Sequence, residues 1–323
     1  MSGKIKVAVA GASGIGKHHA KWYHRAGCEV VAFWGRNQAS CASTERALKE
    51  ILPFAGRAYW DLPQMLDQEQ PDLVDISLPN ELHFDCAWQA LEAGCHVLCE
   101  KPLVWDDGPS AALLEKGQRL IDKARENGRQ LGVCTQYAAS LPHYGELHSL
   151  ARGPVGPIHS FYAEMETLAR GRQRDAATVW LDMGPHPLSL LLSWVPEGRL
   201  DPHSLQVQTG QREVTVRFDF ITATDRCRSE IVVRDVEDGQ PVRRFGVNGF
   251  VAHCEGRADE EGEYRAVLRH NKQEIVGTDF MELLIRQCVA AIEPPVVDKE
   301  MLVRGEAGLR NLELQLQILT QVT

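Results

Sequence analysis

The sequence predicts an α/β protein in which a doubly wound parallel sheet precedes a second, α+β domain with a large, mainly antiparallel sheet. Strand-like and helix-like segments alternate over the first 137 residues, and a glycine-rich turn joins the first strand to the first helix. Beyond about residue 150, strand-like segments with alternating apolar positions predominate. Alternating strands and helices are typical of βαβ units, whose parallel sheets are covered on both faces.

The first half contains strand-like segments bounded by turn residues. They are KIKVAVA (4–10), EVVAFWG (29–35), LVDISLP (73–79), HVLCE (96–100) and QLGVCTQY (130–137). Helix-like segments fall at 14–27, near 38–51, at 81–94 and around 110–128. Short apolar runs of this kind suit buried parallel strands.

The second half predicts a sheet from REVTVRFDF (212–220), RSEIVVRDV (228–236) and EYRAVLRH (263–270), followed by helices near 278–293 and 299–321. A chain of 323 residues exceeds the usual size of one domain. We therefore expect two domains, over 1–137 and 138–323.

Composition and charge limit the classes of partner. A formal net charge of −9 argues against nucleic acid or an anionic membrane as the main partner. Nine cysteines without a C-x-x-C pair suit reduced thiols in a cytoplasm. No targeting segment is visible, and PLSLLLSWV (187–195) is too short to span a bilayer. We expect a cytoplasmic protein with a small-molecule ligand.

The segment VAVAGASGIGKHHA places glycines where the first strand turns into the first helix. Gly11 permits a tight turn and Gly16 permits close packing of helix on strand, while Ser13 stands where backbone approaches a pyrophosphate. Together with Gly14 and Ile15 they form a predicted nucleotide-binding turn, a strand–turn–helix context that makes the motif credible. A plain tight turn is the alternative.

The end of the second strand bears on which nucleotide binds. NAD-preferring sites usually carry an acidic residue here, whereas this sequence has FWGRN, with Arg36 and Asn37 as candidate contacts. An arginine can bind the 2′-phosphate of NADP(H). NADP(H) is favoured and NAD(H) stays open; the alternative is that Arg36 is a solvated loop residue.

Two further segments, SLPNELH (77–83) and CEKP (99–102), fall at strand ends. Ligands of doubly wound sheets bind outside the carboxyl ends of the strands, so Lys101 is predicted to reach the nicotinamide. Pro102 disfavours a helical conformation for Lys101 and imposes an extended exit. A surface salt bridge between Glu100 and Lys101 is the alternative interpretation.

Together GASGIGKHHA, LPNELHFDCAWQALEAGCHVLCEKPL and DMGPH resemble the glucose–fructose oxidoreductase/inositol dehydrogenase family, Gfo/Idh/MocA. The resemblance covers nearly the whole chain and implies a Rossmann dinucleotide-binding domain over 1–137 and a substrate-binding and oligomerisation domain over 138–323. It implies that Lys101 assists catalysis beside the nicotinamide. The Lys–Pro bond of that family is frequently cis, so the resemblance also suggests a cis bond between Lys101 and Pro102. The implied cofactor contacts are Leu78, Pro79, Asn80, His83, Glu100 and Lys101.

VWLDMGPHPL resembles the D-x-x-x-H element of that family, which gives Asp182 and His186. Residues four apart share a helix face, so the carboxylate is expected to orient the imidazole. Pro185 suits a first helical turn, whose positive end favours a neutral base at His186. The alternative is that Asp182 caps the helix and His186 packs in the core.

Two features depart from the family pattern and place a common sugar substrate in doubt: DAATVW (175–180) and Ser189. Nearby, Arg170, Arg172 and Arg174 can recognise an acidic or phosphorylated substrate, or can lie in a solvated loop. The candidate substrate contacts are Lys101, Tyr137, Arg170, Trp180 and His186. Histidine and cysteine spacing predicts no metal.

The leading hypothesis is an NAD(P)-dependent oxidoreductase that acts on a secondary alcohol or ketone of a sugar, cyclitol or related compound. Reduction of an imine or other unsaturated substrate, and dinucleotide sensing without catalysis, are the alternatives. A short-chain dehydrogenase is excluded, because no tyrosine precedes a lysine by four residues. The resemblance and an antiparallel sheet face in need of cover predict a homodimer or homotetramer.

Overall fold

A computed structural model describes residues 3–293 and 299–322. The chain forms two compact units, one of residues up to Thr135 together with Met281–Leu309, and one of Gln136–Phe280 together with the residues from Arg310 onward. The expected division gave 138–323 entirely to the second domain, whereas Met281–Leu309 groups with the first unit. The reason is local pairing: the Val133 N–H donates to the Val303 carbonyl over 2.8 Å.

The four helices predicted in the first half of the chain begin and end near the expected positions, whereas the helix at Leu62–Glu69 was not predicted. In chain order the described helices are α1 (Gly16–Arg25), α2 (Gln38–Ile51), α3 (Leu62–Glu69), α4 (His83–Glu92), α5 (Ser110–Glu126), α6 (Leu141–Arg152), α7 (Ala176–Met183), α8 (Pro185–Trp194), α9 (Phe280–Ile292) and α10 (Gly305–Leu319). Short 3₁₀ helices cover Asn80–Leu82 and Gln136–Ser140.

The first unit contains a six-stranded parallel sheet in the order β3-β2-β1-β4-β5-β6. Its strands are β1 (Lys6–Ala10), β2 (Glu29–Trp34), β3 (Arg57–Tyr59), β4 (Leu73–Ile76), β5 (His96–Glu100) and β6 (Leu131–Cys134). The chain proceeds outward from β1 in one direction and then from β4 in the other, so the predicted doubly wound sheet is confirmed. The reversal places a topological switch point between β1 and β4, where ligands of such sheets bind.

The second unit contains a nine-stranded sheet in the order β15-β14-β13-β12-β7-β11-β10-β8, with β9 paired to β10. Its strands are β7 (Ser160–Leu168), β8 (Arg199–Leu200), β9 (Gln206–Thr209), β10 (Glu213–Ile221), β11 (Arg226–Val236), β12 (Arg243–Val247), β13 (Phe250–Ala258), β14 (Tyr264–His270) and β15 (Gln273–Thr278). All pairs are antiparallel except β7 with β11, which confirms the predicted mainly antiparallel sheet.

Strand β7 shows how the second sheet separates an apolar face from a charged one. Phe161, Ala163 and Met165 are buried, and the alternate residues include Glu164 and Glu166. Successive side chains of a strand point to opposite faces, so the apolar set faces the helices that pack on this sheet. These are α6, α7 and α8.

Among the described residues, no helix combines the length and apolar character that a membrane crossing requires.

Candidate functional site

The glycine-rich turn follows β1 and is held tightly by backbone. Gly11 has φ +93°, and a Cβ there would lie 2.4 Å from the Ser77 carbonyl oxygen. A Cβ at Gly16 would lie 2.5 Å from the Gly11 carbonyl oxygen. Both positions therefore require glycine for steric reasons, as the sequence predicts. Ser13, Gly14 and Ile15, between them, are exposed at the start of α1.

The two candidates after β2 have different surroundings. Arg36 is exposed. The Asn37 side chain instead accepts the Ser40 backbone N–H over 2.9 Å and caps α2 in a capping box. The Asn37 side chain is therefore occupied as the N-cap of α2, and Arg36 is the better candidate to reach a bound nucleotide.

The CEKP segment lies at the end of β5, where the sheet presents its carboxyl edge. The Lys101 backbone N–H donates to Glu100 Oε2 over 3.2 Å, and the Lys101–Pro102 peptide bond is cis. Lys101 is half-buried. The glutamate of the motif thus contacts the backbone of the lysine that follows it.

His83 is fully buried between the two strand-end segments. Its Nδ1 lies 2.8 Å from the Pro102 carbonyl oxygen and its Nε2 lies 3.0 Å from the Leu78 carbonyl oxygen. Burial lowers the pKa of His83, while the two carbonyl contacts act in the opposite direction. Both ring nitrogens face carbonyls inside the first unit. We therefore expect His83 to support the CEKP segment and not to contact a dinucleotide directly. Pro79 is exposed and Asn80 begins the 3₁₀ helix.

A buried polar cluster that the sequence analysis missed lies beneath this edge. His19 Nδ1 lies 3.0 Å from both oxygens of Asp75, and Asp75 also accepts the hydroxyls of Tyr23 and Ser77 over 2.9 and 2.8 Å. His19 Nε2 lies 3.7 Å from Glu100 Oε1. Within the described part of the chain, His19, Glu100 and Cys134 are the three whose possible metal-ligand atoms lie within 4.8 Å of one another.

In the second unit, His186 occupies the first turn of α8, directly after Pro185, as predicted. The ring of Tyr137 meets the imidazole edge-on at 5.2 Å between centroids. Tyr137 is buried, and burial raises the pKa of its phenol. The two residues thus form a largely buried aromatic pair beside the helix N-terminus.

Asp182 belongs to α7, whereas His186 belongs to α8, so the expectation that one helix carries both is wrong. Gly184 separates the two helices, and Asp175, not Asp182, caps α7 through the Thr178 N–H. The Asp182 carboxylate accepts Arg174 Nη1 over 2.6 Å. Arg174 also forms an ion pair with the fully buried Asp235.

The arginines proposed for substrate recognition therefore differ. Arg174 is buried in its two ion pairs, and burial alone would lower its pKa, but these carboxylates raise it above the ordinary value. Arg172 donates to the Ala169 and Leu168 carbonyls, and Arg170 is exposed in a turn with φ +51°. Arg170 and Arg172 are both exposed, but the Arg172 guanidinium already donates to these carbonyls, so Arg170 is the better candidate for a substrate contact.

Trp180 was predicted as a substrate contact, but its surroundings do not suit that role. Its side chain is fully buried, and its indole N–H donates to the Gln315 carbonyl over 3.2 Å. The tryptophan therefore packs in the core of the second unit, and its polar atom is satisfied there.

Comparison with known proteins bears on the first unit directly. The model of the Gfo/Idh/MocA oxidoreductase family, NAD-binding Rossmann fold, matches residues 5–135. D-glucoside 3-dehydrogenase of Escherichia coli is 32% identical over 182 residues, which cover 55% of this chain and 46% of that protein. The chain thus aligns with about half the length of this curated relative.

Two solved structures share the fold over almost the whole chain. UDP-N-acetylglucosamine 3-dehydrogenase from Acidithiobacillus ferrooxidans has a TM-score of 0.74 at 21% identity and covers 99% of this chain and 98% of its own. An inositol dehydrogenase homologue from Azotobacter vinelandii, complexed with NADH and myo-inositol, has a TM-score of 0.72 at 18% identity and covers 100% and 96%. Residues 5–135, which include the glycine turn and the CEKP segment, thus match the NAD-binding Rossmann unit of the Gfo/Idh/MocA oxidoreductase family.

Proposed function

We propose that this protein is an NAD(P)-dependent dehydrogenase or reductase that moves hydride between a nicotinamide and a secondary alcohol or ketone of a sugar, cyclitol or related compound. The observation that carries the proposal is the position of Lys101. It follows β5 at the carboxyl edge of the parallel sheet, within the CEKP segment of a family whose model describes an NAD-binding fold.

The first unit fits a dinucleotide at the switch point of its sheet. A Cβ at Gly11 or Gly16 would meet backbone, so these two positions of the turn carry no side chain, and backbone N–H groups at the start of α1 can receive a pyrophosphate. Arg36 is exposed beyond β2 and suits the 2′-phosphate of NADP(H). The nicotinamide, when bound, accepts or returns the hydride.

The proton of the substrate hydroxyl must leave when hydride leaves the same carbon. We assign its removal to His186 as general base, because an imidazole at a helix N-terminus is favoured in its neutral form. Lys101 would donate a hydrogen bond to the substrate oxygen and stabilise the negative charge that develops there. Tyr137, beside His186, is the further candidate to contact the substrate.

The names of the relatives suggest which substrates to try first. Two of the three are 3-dehydrogenases of a glucoside or of a nucleotide-linked amino sugar, and the third is complexed with a cyclitol. We therefore place pyranosides, nucleotide sugars and inositols at the head of the substrate class.

The test follows reduced-nicotinamide absorbance with NADP⁺ and NAD⁺, each against a panel of these compounds and sugar acids. We expect turnover by the wild type and a loss in kcat on the order of 10²-fold or more in Lys101→Met, the scale of one positioned proton-handling group. Lys4→Met, at an exposed lysine of the same unit, serves as the matched control.

Full turnover in Lys101→Met would contradict the role of Lys101. Dinucleotide binding without turnover on any substrate would instead support the alternative of a non-catalytic sensor.

A further inference from the structure

The buried cluster behind the CEKP segment links helix α1 to the proposed catalytic lysine by a continuous series of contacts. His19, on α1, contacts Asp75 of β4 through Nδ1 and faces Glu100 of β5 through Nε2. The other oxygen of Glu100 accepts the backbone N–H of Lys101. His19 and Asp75 are each about 1% exposed, so water does not screen their contact.

The imidazole of His19 lies between two carboxylates. A ring nitrogen attracts a carboxylate only when it carries a proton, since its lone pair would repel the carboxylate oxygens. Nδ1 thus donates to Asp75, and a proton on Nε2 would draw the ring toward Glu100, 3.7 Å away.

The groups around His19 come from four elements. Asp75 and Ser77 approach from β4 and the residue that follows its end, and Tyr23 approaches from α1 itself. Glu100 approaches from β5, and Cys134 at the end of β6 is the remaining titratable neighbour of Glu100. His19 is the imidazole of this set that faces Glu100, and the Cys134 thiol is a second hydrogen-bonding group beside the same carboxylate.

We propose that His19 is a positioning residue for the CEKP segment: it holds the Glu100 carboxylate, and Glu100 in turn fixes the backbone of Lys101 for hydride and proton transfer. This inference rests on the proposed function, because it assigns to Lys101 the role given above. Removal of the contact from His19 to Glu100 should leave dinucleotide binding largely intact and lower the rate of the chemical step.

A metal site made from His19, Glu100 and Cys134 is the alternative use of this cluster. Burial raises the pKa of the Cys134 thiol well above its ordinary value, so without a metal the thiol stays protonated beside Glu100. A metal bound here would have to displace that proton, and the zinc content of the purified protein tests this alternative.

Two substitutions separate the two sides of the imidazole. His19→Asn places an amide nitrogen near the position of Nδ1 and keeps the bond to Asp75, but it has no atom toward Glu100. His19→Gln is longer and can place its amide nitrogen near Nε2, facing Glu100. Tyr23→Phe is the matched control, because it removes a different hydrogen bond to Asp75 and leaves the contact to Glu100 in place.

We expect His19→Asn to lower kcat by roughly 10- to 100-fold, the cost of a misplaced catalytic group, with little change in the KM for the dinucleotide. His19→Gln should restore kcat to within about 3-fold of wild type, and Tyr23→Phe should stay in the same range, given a barrier change of well under 1 kcal/mol. Equal losses in all three variants, or a loss confined to the KM for the dinucleotide, would overturn the proposal.

A readout independent of turnover separates this proposal from the proposed function. In protein labelled with ¹⁵N-lysine, the backbone amide resonance of Lys101, assigned by its disappearance in Lys101→Met, reports the bond to Glu100. It should shift in His19→Asn and stay in place in His19→Gln and Tyr23→Phe, even if no substrate is turned over. An unchanged resonance in His19→Asn, or one equivalent of zinc in the purified wild type that is lost in His19→Asn, would overturn the positioning role.

Discussion

At the scale of single residues, the cofactor turn depends on steric space that glycine alone leaves. Gly11 combines a positive φ with a close approach to the Ser77 carbonyl, and Gly16 packs against the Gly11 carbonyl. Sequence reasoning can identify such positions, because no other residue type meets both requirements. His19 is different, since its partner Asp75 is 56 residues away and their contact arises when α1 packs against the sheet.

Arg36 carries the prediction about cofactor preference. If its guanidinium binds a 2′-phosphate, Arg36→Ala should raise the KM for NADP⁺ by about 10- to 100-fold, which corresponds to the roughly 1.5–3 kcal/mol of a hydrogen bond to a charged group. Steady-state kinetics with both dinucleotides provides the measurement.

The KM for NAD⁺ is the internal control, because NAD⁺ lacks the phosphate and should bind the variant as it binds the wild type. Equal changes for both dinucleotides, or a wild type that prefers NAD⁺, would show that Arg36 is only a solvated loop residue.

At the scale of elements, the largest difference from expectation is the break between α7 and α8. The spacing of four residues between Asp182 and His186 predicts one helix, but the chain passes through Gly184 and starts a new helix at Pro185. A Cβ at Gly184 would lie 2.7 Å from the Trp180 carbonyl oxygen, so the junction is tight. The Gly–Pro pair was the available signal for a helix boundary.

The ion pairs of Arg174 tie α7 and the segment before it to β11. Arg174→Met would leave the fully buried Asp235 without this partner, and breaking a buried pair costs about 3–5 kcal/mol. We expect faster amide hydrogen exchange in β11 and a lower first unfolding temperature.

Arg172→Met, at an exposed neighbour, should change local stability by less than about 0.5 kcal/mol. Unchanged exchange in β11 after Arg174→Met would mean that the ion pair contributes nothing net to the second unit.

At the scale of the whole molecule, the features that can be predicted are the elements that local periodicity and turn residues determine. The parallel sheet, the mainly antiparallel sheet and most helices of the first half followed from segment patterns. Strand β3 was missed because three strand residues at a sheet edge give too short a pattern. Helix α3, which follows this strand, was missed as well. The buried partners of Arg174 and Trp180 also escaped prediction, since they lie far away in sequence.

The second sheet has a charged face, which is relevant to the prediction that the chain forms a homodimer or homotetramer by covering a face of this sheet. Glu164 and Glu166 pair with Arg234, and Glu164 also contacts Arg244 over 2.5 Å. Light scattering coupled to gel filtration should give twice or four times the mass of one chain. The mass of a single chain at micromolar concentration would contradict this prediction.

The return of Met281–Leu309 to the first unit limits how this protein can exchange parts in evolution or in the laboratory. A single splice after Thr135 would remove Val303 from its bond to β6, and it would remove Leu309, whose Cδ1 would lie 2.7 Å from a Cβ at Gly117. A chimera that borrows the first unit must therefore carry two separate pieces of chain, and the second unit cannot be replaced by exchanging one continuous segment.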